Sequence, residues 1–190
     1  MSGLLKWGIR RLGALVLCSW VGAVQVSAAP GLSNHGQMPA LDGAVAWLNS
    51  PALDRAALKG KVVLVDFWTF DCINCQRSLP YVNTWAKRYA EQGLVVIGVH
   101  TPEYDFEHSI SAVREQVARL GIGYPVAIDN DYRIWKAFDN QYWPAHYIVD
   151  AQGDVRYAHF GEGKYDEQEQ VIKTLLQQAS TTPRQGSAQQ

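Results

Sequence analysis

Two cysteines separated by two residues are the groups best suited to chemistry in this 190-residue chain. Cys72-Ile73-Asn74-Cys75 follows the apolar run Val62-Val63-Leu64-Val65-Asp66-Phe67-Trp68 and precedes a helical pattern. A C-x-x-C pair between a buried strand and a helix reads first as a redox dithiol. Free N–H groups and the macrodipole at a helix N-terminus stabilise a thiolate, which makes Cys72 the expected nucleophile. Cys75, one turn on, is then the resolving thiol that attacks a mixed disulfide formed by Cys72. Ile73 and Asn74 form the spacer and modulate the redox potential. Two other readings compete. A static disulfide would close a loop too short to constrain much of the unfolded chain. A zinc or copper site would need a second pair of soft ligands, for which only the scattered His100 and His146 stand as candidates. Haem attachment needs His after the second cysteine, and Gln76 stands there.

Asp66 is the next candidate. A carboxylate inside an apolar strand is costly unless it is protonated or hydrogen-bonded, and such a group suits a base that takes the proton of Cys75. The opposing reading is a strand-end Asp facing solvent.

These residues need a scaffold. Lys61 to Thr69 and Leu94 to Val99 read as buried strands, apolar on both faces. Between them Cys75 to Gln92 carries Leu79, Val82, Ala86 and Tyr89 at helical spacing and ends at Gly93, with Pro80 expected to kink it. Ile110, Val113, Val117 and Leu120 mark a second helix. Tyr124 to Ile128 reads as a strand and Asn130 to Phe138 as a short helix. Ala145 to Val149 and Val155 to Phe160 flank a turn at Ala151-Gln152-Gly153-Asp154. Gln168 to Gln177 closes the domain as a helix. Upstream, Ala44 to Leu48 reads as a short strand and Asp54 to Leu58 as one helical turn. The expected class is α/β, a mixed sheet with helices on both faces.

The order of these motifs strongly resembles the thioredoxin superfamily. Val65-Asp66-Phe67-Trp68 before Cys-x-x-Cys is similar to that family's active-site strand, Pro80 to its helix proline, and Trp143-Pro144 to its cis-proline loop. The strand and helix added between Leu94 and Ile128 resemble the TlpA/ResA-like branch. Cys-Ile-Asn-Cys-Gln-Arg, Gly98-Val99-His100-Thr101-Pro102-Glu103 and Tyr142-Trp143-Pro144-Ala145 resemble the thioredoxin-like domain of DipZ-type reductases. The resemblance implies a thioredoxin-like fold and a thiol–disulfide oxidoreductase whose only redox group is the Cys72–Cys75 disulfide. It implies Glu103 as a second acid near the dithiol, and a cis Trp143–Pro144 bond beside which a substrate segment pairs. Protein disulfides are the implied substrates, and a membrane thiol carrier of the DsbD/CcdA type the implied electron donor. Cytochrome c maturation or periplasmic redox homeostasis are the implied settings. A disulfide oxidant or isomerase, a thiol peroxidase and a copper-binding chaperone remain as alternatives, although no Pro-x-x-x-Thr-x-x-Cys peroxidase pattern is present.

Composition adds limits. Seventeen basic and 18 acidic residues give a net charge of -1, which offers no footprint for nucleic acid. Lys6, Arg10 and Arg11, the apolar Leu12 to Val26 and the small residues Val26-Ser27-Ala28 read as a secretory signal over residues 1–28, with an uncleaved anchor as the rival. Cleavage would remove Cys18 and leave Cys72 and Cys75 alone in an oxidising, periplasmic compartment. Residues 29–37 then form an extended linker, 38–179 the domain and 180–190 a disordered tail.

Asp71 stands directly before Cys72, where thioredoxin itself has Trp. Its negative charge opposes the thiolate through the Coulomb term. Asp71→Asn is therefore expected to lower the Cys72 pKa by a fraction of a unit. Thiolate absorbance against pH in the reduced protein measures this, and an unchanged or raised value removes Asp71 from the account.

Overall fold

The computed structural model describes residues 32–181. The expected signal segment, Cys18 and all but the first two residues of the expected tail lie outside them. Six strands form one sheet: β1 (Ala46–Leu48), β2 (Val62–Trp68), β3 (Leu94–His100), β4 (Val126–Ile128), β5 (Ala145–Val149) and β6 (Val155–Phe160). Among the described residues four α-helices accompany them: α1 (Ile73–Tyr89), α2 (Ile110–Arg119), α3 (Arg133–Ala137) and α4 (Tyr165–Thr181). The strand order is β1-β4-β3-β2-β5-β6. Strands β2, β3 and β4 run parallel, while β1, β5 and β6 are antiparallel to their neighbours.

Every residue of β2 is buried, because helices or packed loops cover both faces of this central strand. Alternation sends Val62, Leu64 and Trp68 to one side, where they pack with Leu79, Val82 and Trp85 of α1, Val113 and Val117 of α2 and Val171, Ile172 and Leu175 of α4. Val63, Val65 and Phe67 pack on the other side with Ile134 of α3 and with Met38, Leu41 and Phe138. The expected mixed sheet covered on both faces is thus present, with three helices on one side and one on the other.

Helix α1 runs unbroken through Pro80 and ends in a 3-10 turn at Ala90–Gln92. Gly93 follows with φ +102°, a left-handed conformation that glycine adopts without steric cost. Two expectations need correction. Asp54 to Leu58 forms turns and no helix: Asp54 accepts from the Ala57 N–H at 2.8 Å as an N-cap would, but the Ala56 and Leu58 carbonyls bond to N–H groups three residues on, as in turns, and not four. Helix α4 begins at Tyr165 and includes Ser180 and Thr181, so the first residues of the expected tail are helical. Its start is anchored by Tyr165 stacked on Tyr81 of α1 at 3.6 Å.

Candidate active site

The C-terminal ends of β2 and β3 and the N-terminal end of β5 meet at one end of the sheet, as their register dictates. This crevice position is where open α/β sheets bind ligands. The dithiol lies there, on the link from β2 to α1.

Cys72 is the N-cap of α1, with extended backbone geometry, and its Sγ accepts from the Cys75 N–H at 3.1 Å. No acidic side chain occupies the first turn of the helix. Cys72 is half-buried, Cys75 is fully buried, and the two are joined as a disulfide with Cα atoms 5.2 Å apart. Cys72 is thus the partly accessible member of the pair and Cys75 the enclosed one. The Gln76 side chain ties the turn in place by donating to the Phe70 carbonyl at 2.7 Å. Ile73, 59% exposed, Asn74 and Asp71 all face solvent. Exposed Phe106, ringed against Phe70 at 5.9 Å and Tyr104 at 5.6 Å, adds to an apolar surface on this side.

Asp66 is 1% exposed. By strand alternation it points to the same face of the sheet as Leu64 and Trp68, the face on which Cys75 packs. Its Oδ2 accepts from the Tyr124 hydroxyl at 3.4 Å, and its Oδ1 lies 3.2 Å from Nε2 of His146. His146 stands directly opposite Asp66 on β5, and Gly98 stands opposite on β3. A Cβ on Gly98 would come within 2.9 Å of Trp68 Nε1 and 3.2 Å of Tyr124 Cε2, so glycine leaves room here for the ring whose hydroxyl reaches Asp66.

The Trp143–Pro144 bond is cis. It lies one step beyond the last β2–β5 register pair, Phe67–Ala145, and so beside the strand end that leads into the dithiol. Trp143 is half-buried, with its indole donating to the Thr101 carbonyl at 3.0 Å and its ring 4.1 Å from that of Trp135.

Glu103 is exposed. The buried acid of this loop is Glu107, which sequence reading passed over. Its Oε1 accepts from the Asp71 N–H at 3.0 Å, and its Oε2 from the N–H groups of Glu103 at 2.8 Å and Tyr104 at 3.1 Å. Burial pushes this carboxyl up, but the Thr69 hydroxyl and the three N–H groups outweigh it and hold Glu107 below the ordinary glutamate value. Thr69 also meets His100 Nε2 at 3.3 Å, and burial pushes His100 down to about 4. Asp66's partner His146 was equally hidden, weighed only as a scattered metal ligand. A histidine in the middle of the apolar run Ala145–Val149 was the available signal. Among the described residues no group of three or more His, Cys, Asp or Glu is arranged to hold a metal ion.

The family model described as Redoxin matches residues 37–176. The chain is 49% identical over 151 residues to Protein DipZ of Mycobacterium bovis and of Mycobacterium tuberculosis, covering 78% of this chain and 22% of each relative. It therefore spans about a fifth of the length of those relatives. It is 34% identical over 126 residues to thiol-disulfide oxidoreductase YkuV of Bacillus subtilis, covering 66% of this chain and 83% of that protein. Among solved structures it is similar to a thioredoxin-like protein in the oxidized form, with 31% identity and a TM-score of 0.68 over 75% of this chain and 95% of that one.

Proposed function

The chain belongs to the Redoxin family, with a thioredoxin-like fold and thiol-disulfide oxidoreductases among its relatives, and we propose that it reduces protein disulfides through Cys72 and Cys75. The observation that carries this reading is the asymmetry of the pair: a half-buried cysteine capping a helix, joined to one that is fully buried.

In the reduced protein the Cys72 thiolate attacks a substrate disulfide and expels one substrate thiolate. Cys75 gives up its proton to Asp66 and attacks Cys72, releasing the second substrate thiol and restoring the Cys72–Cys75 disulfide. Two electrons pass from the dithiol to the substrate. An extended substrate segment pairs along the backbone of Trp143 beside Pro144. The exposed Glu103, whose N–H is held by Glu107, acts as the second acid. Asp71, Ile73 and Asn74 surround Cys72 and tune its affinity for electrons.

The signal-like composition of residues 1–28 supports export to the periplasm, where a membrane thiol carrier of the DsbD/CcdA type would recharge the dithiol. Among the described residues no helix is long and apolar enough to cross a membrane. The resemblance to DipZ-type proteins favours reduction over oxidation. Equilibration of the pair with glutathione or dithiothreitol tests the direction. A reduction potential at or below about -250 mV fits a reductant that needs a strong donor, and a value near about -120 mV makes the protein an oxidant.

A further inference from the structure

A chain of four groups fixes the protonation of the residue that faces Asp66. The Gly163 carbonyl accepts from Nε2 of Gln168 at 2.7 Å. A carbonyl cannot donate, so the orientation of the Gln168 amide is set, and its Oε1 faces Nδ1 of His146 at 2.6 Å. An amide oxygen cannot donate either, so Nδ1 carries a hydrogen. Nε2 is then a bare lone pair unless a further proton arrives. It faces Asp66 Oδ1 at 3.2 Å, with both side chains 1% exposed. Among the described residues neither atom has a hydrogen-bond partner elsewhere. Two lone pairs facing each other out of reach of water repel. One proton between them turns the repulsion into a buried ion pair.

The surroundings agree. Asp66 on β2 and His159 on β6 stand opposite His146, the Tyr124 hydroxyl ahead of β4 donates to the same Asp66 carboxylate, and α4 contributes the neutral Gln168. Burial pushes the His146 imidazole down, but its hydrogen bond to Asp66, the Asp66 charge and the bond to Gln168 raise it above the ordinary histidine value. His159 is lowered, first by burial and then by the charge on His146.

We propose that His146 is the buried counter-charge of Asp66, the pair holding one proton between Nε2 and Oδ1 and so leaving Asp66 Oδ2 ionised to accept the Cys75 proton. This rests on the disulfide-reductase reading. In the resolving step the Cys75 S–H proton passes to Oδ2 and the thiolate attacks Cys72. The Cys72–Cys75 bond forms, and the bond from Cys72 to the substrate sulfur breaks. The substrate sulfur leaves with the electron pair and takes a proton from solvent. Throughout the step the imidazolium offsets one negative charge in the core, first the carboxylate and then the Cys75 thiolate. His146 and Gln168 touch no reacting sulfur and are positioning residues.

Two measurements test this. The ¹⁵N shifts of the His146 ring in the oxidised parent, followed from pH 5 to 8, are expected to report both nitrogens protonated. A ring with bare Nε2 near neutral pH overturns the shared proton. Stopped-flow release of a thiol from its mixed disulfide with Cys72 is then followed against pH. His146→Gln should move the acid limb upward by about one unit, slowing release about tenfold below it, with the alkaline plateau retained. Gln168→Leu should move it by less in the same direction. A loss independent of pH in both variants, or profiles that superimpose on the parent, overturns the proposal. A parent that releases no thiol defeats the reductase reading, and the ring shifts still decide where the proton lies.

Discussion

Cys75→Ser should convert the protein into a trap that accumulates as a covalent adduct with its disulfide substrate through Cys72. Cys72→Ser should form no adduct at all. Both variants should lose turnover by roughly 10³-fold or more, since the two thiols act as a unit. The difference between them comes from position. Cys72 sits at the open end of α1, half-exposed, where the N–H of Cys75 points at its sulfur and no acidic side chain shares the first turn. Cys75 is 0% exposed, packed with Trp68, Leu79 and Tyr124, so only a sulfur already delivered to Cys72 comes within its reach. Mass spectrometry of each variant after exposure to a disulfide-linked peptide reads the outcome. Turnover that survives in Cys75→Ser, with no adduct, would mean that a thiol from solution resolves the intermediate and that Cys75 has no part in release. Alkylation of the reduced parent offers a parallel check, with Cys72 labelled well before Cys75.

The parts of this site that lie close in sequence were legible in it. A continuous apolar run can only be a covered strand or a buried helix segment, and the C-x-x-C at its end settles the junction at Cys72. Leu79, Val82 and Tyr89 mark the buried face of α1 because helical geometry repeats every few residues. The acids were harder. Glu103 and Glu107 belong to one short loop of mixed composition, and nothing local says which turns inward. Glu107 does so because Asp71, more than thirty residues away, presents an N–H that needs an acceptor. Asp66 announced itself as a carboxylate among apolar residues, but its partner did not. His146 meets it only through the antiparallel register of β2 and β5, and a slip of one residue would have put the imidazole on the opposite face of the sheet. Asp54 to Leu58 was misread for a related reason, since a side-chain cap and a helix draw on the same residue types.

Glu107→Ala should be the most destabilising substitution near the site that leaves the dithiol itself intact. The carboxylate satisfies three backbone N–H groups from a position with no solvent exposure. An unsatisfied buried donor costs about 1–3 kcal/mol. Asp71, Glu103 and Tyr104 are exposed residues, so water recovers part of that, and a loss of about 3 kcal/mol is expected. Against a typical total of about 5–15 kcal/mol this is a large fraction. Glu107→Gln should cost less, about 1–2 kcal/mol, because one amide oxygen survives while the new NH₂ is turned toward donors. The sign of the pH dependence follows from the depressed folded-state pKa. The parent gains stability from Glu107 above the unfolded glutamate value, and loses that gain as pH falls through the lower folded value. The gap between parent and Glu107→Gln in urea unfolding should therefore be widest near neutral pH and narrow in acid. A gap that stays constant down to acid pH would assign the loss to packing and not to the charge. A gap that narrows ties the ionised carboxylate to the fold of the Asp71–Cys72 turn, and hence to how firmly the nucleophile is held at the end of α1.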